Sequence, residues 1–181
     1  MKTIAICLGA ALMTYVLSSC SKEPLELREP PKATAIAAAA PDSVFAFDNN
    51  INKDLLLEMI NAVRAKGCNC GKTYMPPVPP LTWNERLEKA AWLHSKEMRD
   101  SSYMSHTGKN GSTAGDRIKK MGYYYKMYRE NLALGVLTEK TVIEGWMGSE
   151  THCLSMMNAD IKETAVGKVA NFWTQELAVA K

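Results

Sequence analysis

Four polar side chains are left unexplained by any helical or strand periodicity: His106 in "SHTG", Glu130 in "YRENLALG", and Glu150 and His152 in "GSETHC". All sit beside glycines and turn-forming residues, the places where ligand-facing groups tend to be carried. Two imidazoles and two carboxylates brought together have two chemical uses. They can hold a divalent metal with an open coordination position, or they can share a proton in general acid–base catalysis. Spacing alone shows neither. Taken singly, Glu130 reads as a cap for backbone amides, Glu150 as the partner of a surface base, and the two histidines as loop residues.

These residues need elements to position them. From Asp54, an N-cap type, Leu56, Met59, Ile60 and Val63 recur at helical spacing up to Gly67. "MPPVPPLTW" then forces an extended crossing, because proline fixes φ and disfavours helix in the residue before it. A second helix is expected from Asn84 to about Ser101, with Leu87, Ala90, Ala91, His94 and Met98 on its apolar face. His94 on that face reads as a hydrogen-bonded core residue rather than a ligand. "TAGDRIKKMG" predicts a third helix capped by Ser112 or Thr113, and "TEKTVIEGWMGS" a fourth capped by Thr138. "YYYKMYRENLALG" is strand-like near its start, and "AVGKVANFWTQELAVA" reads as one or two strands turned near Ala170 and Asn171.

A chain of 181 residues with 46% hydrophobic content supports one compact domain. Its 22 basic and 19 acidic side chains are dispersed, with no dense basic block to track a phosphate backbone, so nucleic acid is not an expected partner. A glycine-rich phosphate loop, a dinucleotide fingerprint and a serine nucleophile elbow are all missing.

The N-terminus predicts export. Lys2 precedes an apolar run from Ile4 to Leu17, too short for a comfortable membrane span, and "VLSSC" resembles a bacterial lipobox. Residues 1–20 therefore read as a lipoprotein signal peptide with Cys20 as the lipidated residue, and residues 21–48 as a tether that is proline-bearing and then alanine-rich. With Cys7 and Cys20 spent, Cys68, Cys70 and Cys153 remain. In an oxidising compartment, Cys68 or Cys70 is expected to bridge to Cys153. Tetrahedral zinc on Cys68, Cys70, Cys153 and His152 is the alternative, disfavoured because C-x-C is tighter than the usual zinc hook.

In order along the chain, "LTWNERLEKAAWLHSKEM", "SHTGKNGSTAGDRI", "YYKMYRENLALG", "VIEGWMGSETHCLSMMN" and "FWTQELA" resemble the CAP superfamily. That superfamily comprises the cysteine-rich secretory, antigen 5 and pathogenesis-related proteins, and the likeness is greatest to its bacterial SCP-like branch, over roughly residues 54–179. The resemblance implies an α+β fold, a single α-β-α sandwich with a small antiparallel sheet between helical layers, occupying residues 49–181. It also implies a cleft in which His106, Glu130 and Glu150 converge. Eukaryotic members place a second histidine where Phe172 stands here, whereas His152 fits the bacterial S-x-x-H pattern and is expected to reach the same cleft. Gln175 is expected to line the cleft beside Glu130, Asn131 to bond its backbone, and Trp83, Trp146, Trp173 and Leu87 to fill the core. Cys153 matches a position that bacterial relatives can pair with a cysteine of the "GCNCG" region.

The leading expectation is an exported binding module, held on a bacterial membrane by Cys20 and facing the periplasm or the exterior. Its His106, Glu130, Glu150 and His152 cleft would take a small ligand, a cell-envelope component, or zinc or another divalent cation. One alternative is a metal-assisted hydrolase acting at the envelope. The other is a structural or host-interaction protein that uses a surface such as "YYYKMY", a patch that also reads as a half-buried strand edge.

Overall fold

The computed structural model describes residues 47–181, so the expected signal peptide, Cys20 and most of the expected tether lie outside the described residues. The Phe47 ring packs 5.4 Å from that of Trp92. The Asp48 carbonyl accepts from Trp92 Nε1 at 3.0 Å, and the Asn49 amide donates to Glu88 and to the Val166 carbonyl.

Helix α1 (Lys53–Lys66) is capped by Asn52, whose side chain accepts from the Leu55 amide; Asp54 falls in the first turn instead, where its charge complements the helix dipole. Its apolar stripe, Leu56 and Ile60, is fully buried. A small hairpin follows, β1 (Cys68–Cys70) against β2 (Thr73–Met75), and the prolines then run extended into β3 (Thr82–Trp83). Helix α2 (Glu85–Asp100) starts at the Asn84 cap and buries Leu87, Ala90, Ala91, His94 and Met98, the face that its periodicity marks. Capping boxes start both α3 (Ala114–Lys120), at Thr113 with Asp116, and α4 (Glu139–Gly148), at Thr138 with Thr141. A short helix α5 (Glu150–Met156), which periodicity does not reveal, carries "ETHC".

Strands β4 (Tyr125–Leu134), β5 (Glu163–Val169) and β6 (Phe172–Ala180) complete a sheet in the order β3-β5-β6-β4, antiparallel except for the parallel β3–β5 pair. The β5–β6 turn falls at Ala170 and Asn171, as its composition suggests. Side-chain alternation sends β6 to both layers. Trp173 and Leu177 pack with Leu56, Ile60, Ile143, Trp146 and Met156 of α1, α4 and α5, while Ala178 packs with Leu87, Ala90 and Ile118 of α2 and α3. Each large apolar side chain enclosed this way contributes roughly 1.5–3 kcal/mol relative to exposure. The α+β sandwich expected from the resemblance is thus the observed fold.

Cys70 is the cysteine that bridges to Cys153, with Cα atoms 5.3 Å apart. The bond closes a loop across 83 residues and ties β1 to α5, worth about 4–5 kcal/mol in the chain-entropy account. Arg64, fully buried, adds a polar clamp: its guanidinium donates to the carbonyls of Pro79 and Met156, at 2.8 and 2.6 Å. Burial lowers its pKa to about 10.

Candidate functional site

The α2–α3 loop holds His106 in place through its backbone. Buried His94 has its Nε2 2.8 Å from the Ser105 carbonyl; a carbonyl only accepts, so Nε2 carries the proton. His94 is therefore the hydrogen-bonded core residue that its helix position suggests. Burial, with the Arg117 charge next, lowers its pKa. On the other side of the loop, Arg117 of α3 donates to the carbonyls of Ser112 and His106, at 3.0 and 3.1 Å.

The same guanidinium reaches Glu130 of β4, at 2.5 Å from Oε2, while His106 Nδ1 lies 2.7 Å from Oε1. The imidazole is 61% exposed and the carboxylate 3%, so a surface base rests on a buried acid. The Glu130 hydrogen bond raises the His106 pKa against the opposing effect of burial. Burial pushes Glu130 upward, but the His106 hydrogen bond and the Arg117 charge outweigh it and hold the carboxyl below its ordinary value. Nδ1 is committed to Glu130, which leaves Nε2 as the other ring nitrogen, and His106 borders a groove of about 460 Å³ with Thr113, Tyr128 and Arg129.

Opposite Glu130 in the strand register stands Glu176 of β6, fully buried, with neither oxygen hydrogen-bonded among the described residues. An unpaired carboxylate in such a place is costly, so the group keeps its proton. Burial first, and the Glu130 charge second, raise its pKa well above the ordinary carboxyl value. Sequence reasoning missed both Arg117 and Glu176. Strand alternation could have placed Glu176 and Gln175 on opposite faces, but only the register puts Glu176 across from Glu130.

Gln175 accordingly lies on the far face of the sheet, buried, accepting from Asn131 Nδ2 at 2.8 Å. Asn131 also donates to the His152 carbonyl at 3.3 Å, so Gln175 supports the site through a neighbour and does not line it beside Glu130. The half-buried His152 imidazole feels His106: burial and then the His106 charge lower its pKa. Glu150 goes elsewhere, and its carboxyl lies against Gly71 in the β1–β2 turn. No three of His106, Glu130, Glu150 and His152 bring ligand atoms within 4.8 Å of one another; among the described residues, Cys68, Cys70 and Cys153 alone do so. With Arg117 already on Glu130, this arrangement does not fit a divalent ion as it stands.

Residues 57–176 match the CAP family, described as the cysteine-rich secretory protein family. The chain belongs to that family. It is 31% identical over 145 residues to the uncharacterized protein YkwD of Bacillus subtilis, a match that takes in 79% of this chain and 51% of YkwD. The fold is similar to the crystal structure of an extracellular SCP-domain protein from Bacillus anthracis, with TM-score 0.63 and 25% identity, over 70% of this chain and 40% of that one. It is also similar to an outer surface protein from Borrelia burgdorferi, with TM-score 0.60 and 22% identity, over 71% and 92% of the two chains; this second likeness concerns the fold alone. The chain thus spans about half the length of YkwD and less of the Bacillus anthracis protein. Among the described residues no helix is long and apolar enough to cross a membrane.

Proposed function

We propose that this CAP domain is an exported, lipid-anchored binding module that takes a small polar ligand of the cell envelope in the groove at His106. The observation that carries the reading is an exposed imidazole that borders the groove and is held through Nδ1 by a buried carboxylate. Tyr128 and Arg129, which border the groove, bring it a ring and a positive charge, a pair suited to a polar or anionic molecule. Export and anchoring draw support from "VLSSC" at Cys20 and from the extracellular setting of the Bacillus anthracis relative.

Calorimetry on the full chain tests this, with soluble glycan–peptide fragments of a bacterial wall as one probe and zinc as the other. Fragment binding that His106→Ala reduces at least about tenfold, roughly 1.4 kcal/mol, supports the module. Tight one-to-one zinc binding abolished by the same substitution would replace it with a metal site. Saturating binding of neither probe would refute the groove as a receptor for wall fragments.

A hydrolytic reading draws on the same pair. Glu130 fixes the His106 tautomer, and Nε2 could then take a proton from water, the division of labour that imidazole–carboxylate pairs support. Turnover of the wall fragments, lost in both His106→Ala and Glu130→Gln, would favour it over binding.

A further inference from the structure

Among the described residues, the cysteine that the disulfide leaves over, Cys68, is not isolated. Cys68 and Cys70 are two residues apart on β1, and strand alternation turns both toward α5, with exposed Asn69 between them. Cys153 of α5 is bonded to Cys70, and the Cys68 sulfur lies 3.8 Å from the Cys153 sulfur, in van der Waals contact. All three sulfurs lie within 4.8 Å of one another. Two of them are joined to each other, so the chemistry open to the set is at sulfur.

We propose that this cluster is an internal thiol–disulfide exchange site, in which Cys68 attacks the Cys153 sulfur and displaces Cys70. The Cys68 thiol gives its proton to solvent, and its thiolate pair forms the new Cys68–Cys153 bond. The Cys70–Cys153 bond breaks, its electron pair leaves on Cys70, and that thiolate takes up a proton. One disulfide and one thiol stand on each side, so the step needs no oxidant or reductant.

The two isomers differ in what they present. With Cys70–Cys153 bonded, the free thiol is the half-buried Cys68, open to a small external disulfide; after exchange the free thiol is Cys70, in a fully buried position. Exchange would thus conceal the thiol without losing the covalent tie between β1 and α5. It also moves that tie by two residues along β1, at the α5 residue that follows His152. Burial raises the Cys68 pKa, which keeps the thiolate scarce and the exchange slow at neutral pH.

The test uses the purified full chain carrying Cys7→Ser and Cys20→Ser, so that no thiol remains outside the cluster. The oxidised protein is held at mildly alkaline pH without added thiol. At intervals, free thiols are trapped with one alkylating reagent in denaturant, and the disulfide is then reduced and capped with a second. Tandem mass spectrometry of the Gly67–Lys72 peptide separates the labels on Cys68 and Cys70. The expected result is first-reagent label on Cys70 that rises to a steady share, mirrored by loss from Cys68, at a rate independent of protein concentration. Label confined to Cys68 throughout would overturn the proposal, and so would a rate proportional to concentration. Adding Cys70→Ser gives a second reading: Cys68–Cys153 should form in the folded protein, and a folded variant that keeps both thiols free under oxidising conditions refutes the exchange.

Discussion

His106 gains a defined protonation pattern from Glu130. A free imidazole divides its proton between two nitrogens and titrates near pH 6.5; with Nδ1 on a buried carboxylate, the protonated ring is favoured and Nε2 is the nitrogen left for chemistry. The sign follows from the direction of the shift. A histidine whose pKa is raised in the folded state contributes its stabilisation fully below the unfolded midpoint and loses it as pH rises through the folded one. Ring-proton NMR should therefore place the His106 midpoint above about 6.5, and Glu130→Gln should bring it down to that value or lower. An unchanged midpoint in the variant would show that the pair does not govern the ring. Much of this site was legible: His106 and Glu130 stood out because no periodicity accounted for them. Arg117 did not, because on α3 it resembles any basic residue of a solvated helix face. Glu150 was misleading for a physical reason: as the first residue of α5 it projects toward the hairpin turn, not toward β4.

Elements are held by close backbone approaches as much as by apolar stripes. Helix α2 crosses β5 at Gly167, where an added Cβ would come within 2.1 Å of the Trp92 nitrogen and 2.4 Å of the Ala91 carbonyl carbon. Ser95 of α2 fixes the same crossing, donating to the Gly167 carbonyl at 3.0 Å. The obstructing atoms are helix backbone and cannot turn aside. Gly167→Ala should cost on the order of 3 kcal/mol in chemical denaturation, and a loss under about 1 kcal/mol would mean that the helix shifts freely. The β5–β6 turn presents the opposite case. Ala170 sits at φ 51°, a left-handed conformation that costs a residue with a Cβ roughly 1–2 kcal/mol. Ala170→Gly removes that cost and gives back part of it as unfolded-chain entropy, leaving a gain of about 0.5–1 kcal/mol, read as a higher denaturation midpoint. A lower midpoint would contradict the strain. Helices α1 to α4 and the β5–β6 turn could be read from caps, stripes and punctuation. Helix α5 and the β1–β2 hairpin could not, because each is too short to show a period and is fixed instead by the Cys70–Cys153 bond and the Arg64 clamp.

Across the whole domain, stability should carry the signature of one buried proton. Glu176 lies in the layer between the sheet and α2–α3, facing Glu130 of β4 and feeling Arg117 of α3, and it is neutral when folded but ionises in the unfolded chain near pH 4.3. Above that value the group keeps its proton in the folded state and loses it in the unfolded one, so its own contribution to stability falls with pH at about 1.4 kcal/mol per unit until the folded group itself ionises. Glutamine has the shape of the protonated side chain and no charge to bury. Glu176→Gln should match the wild type near pH 4 and then gain on it by that slope as pH rises toward neutrality, as read from urea midpoints at a series of pH values. A flat difference across the series would mean that Glu176 ionises alike in both states, and the proton attributed to this buried strand pair would have to be withdrawn. A falling difference would mean that the carboxylate is the form the fold prefers, with Arg117 divided between two acids rather than committed to Glu130 and the His106 loop.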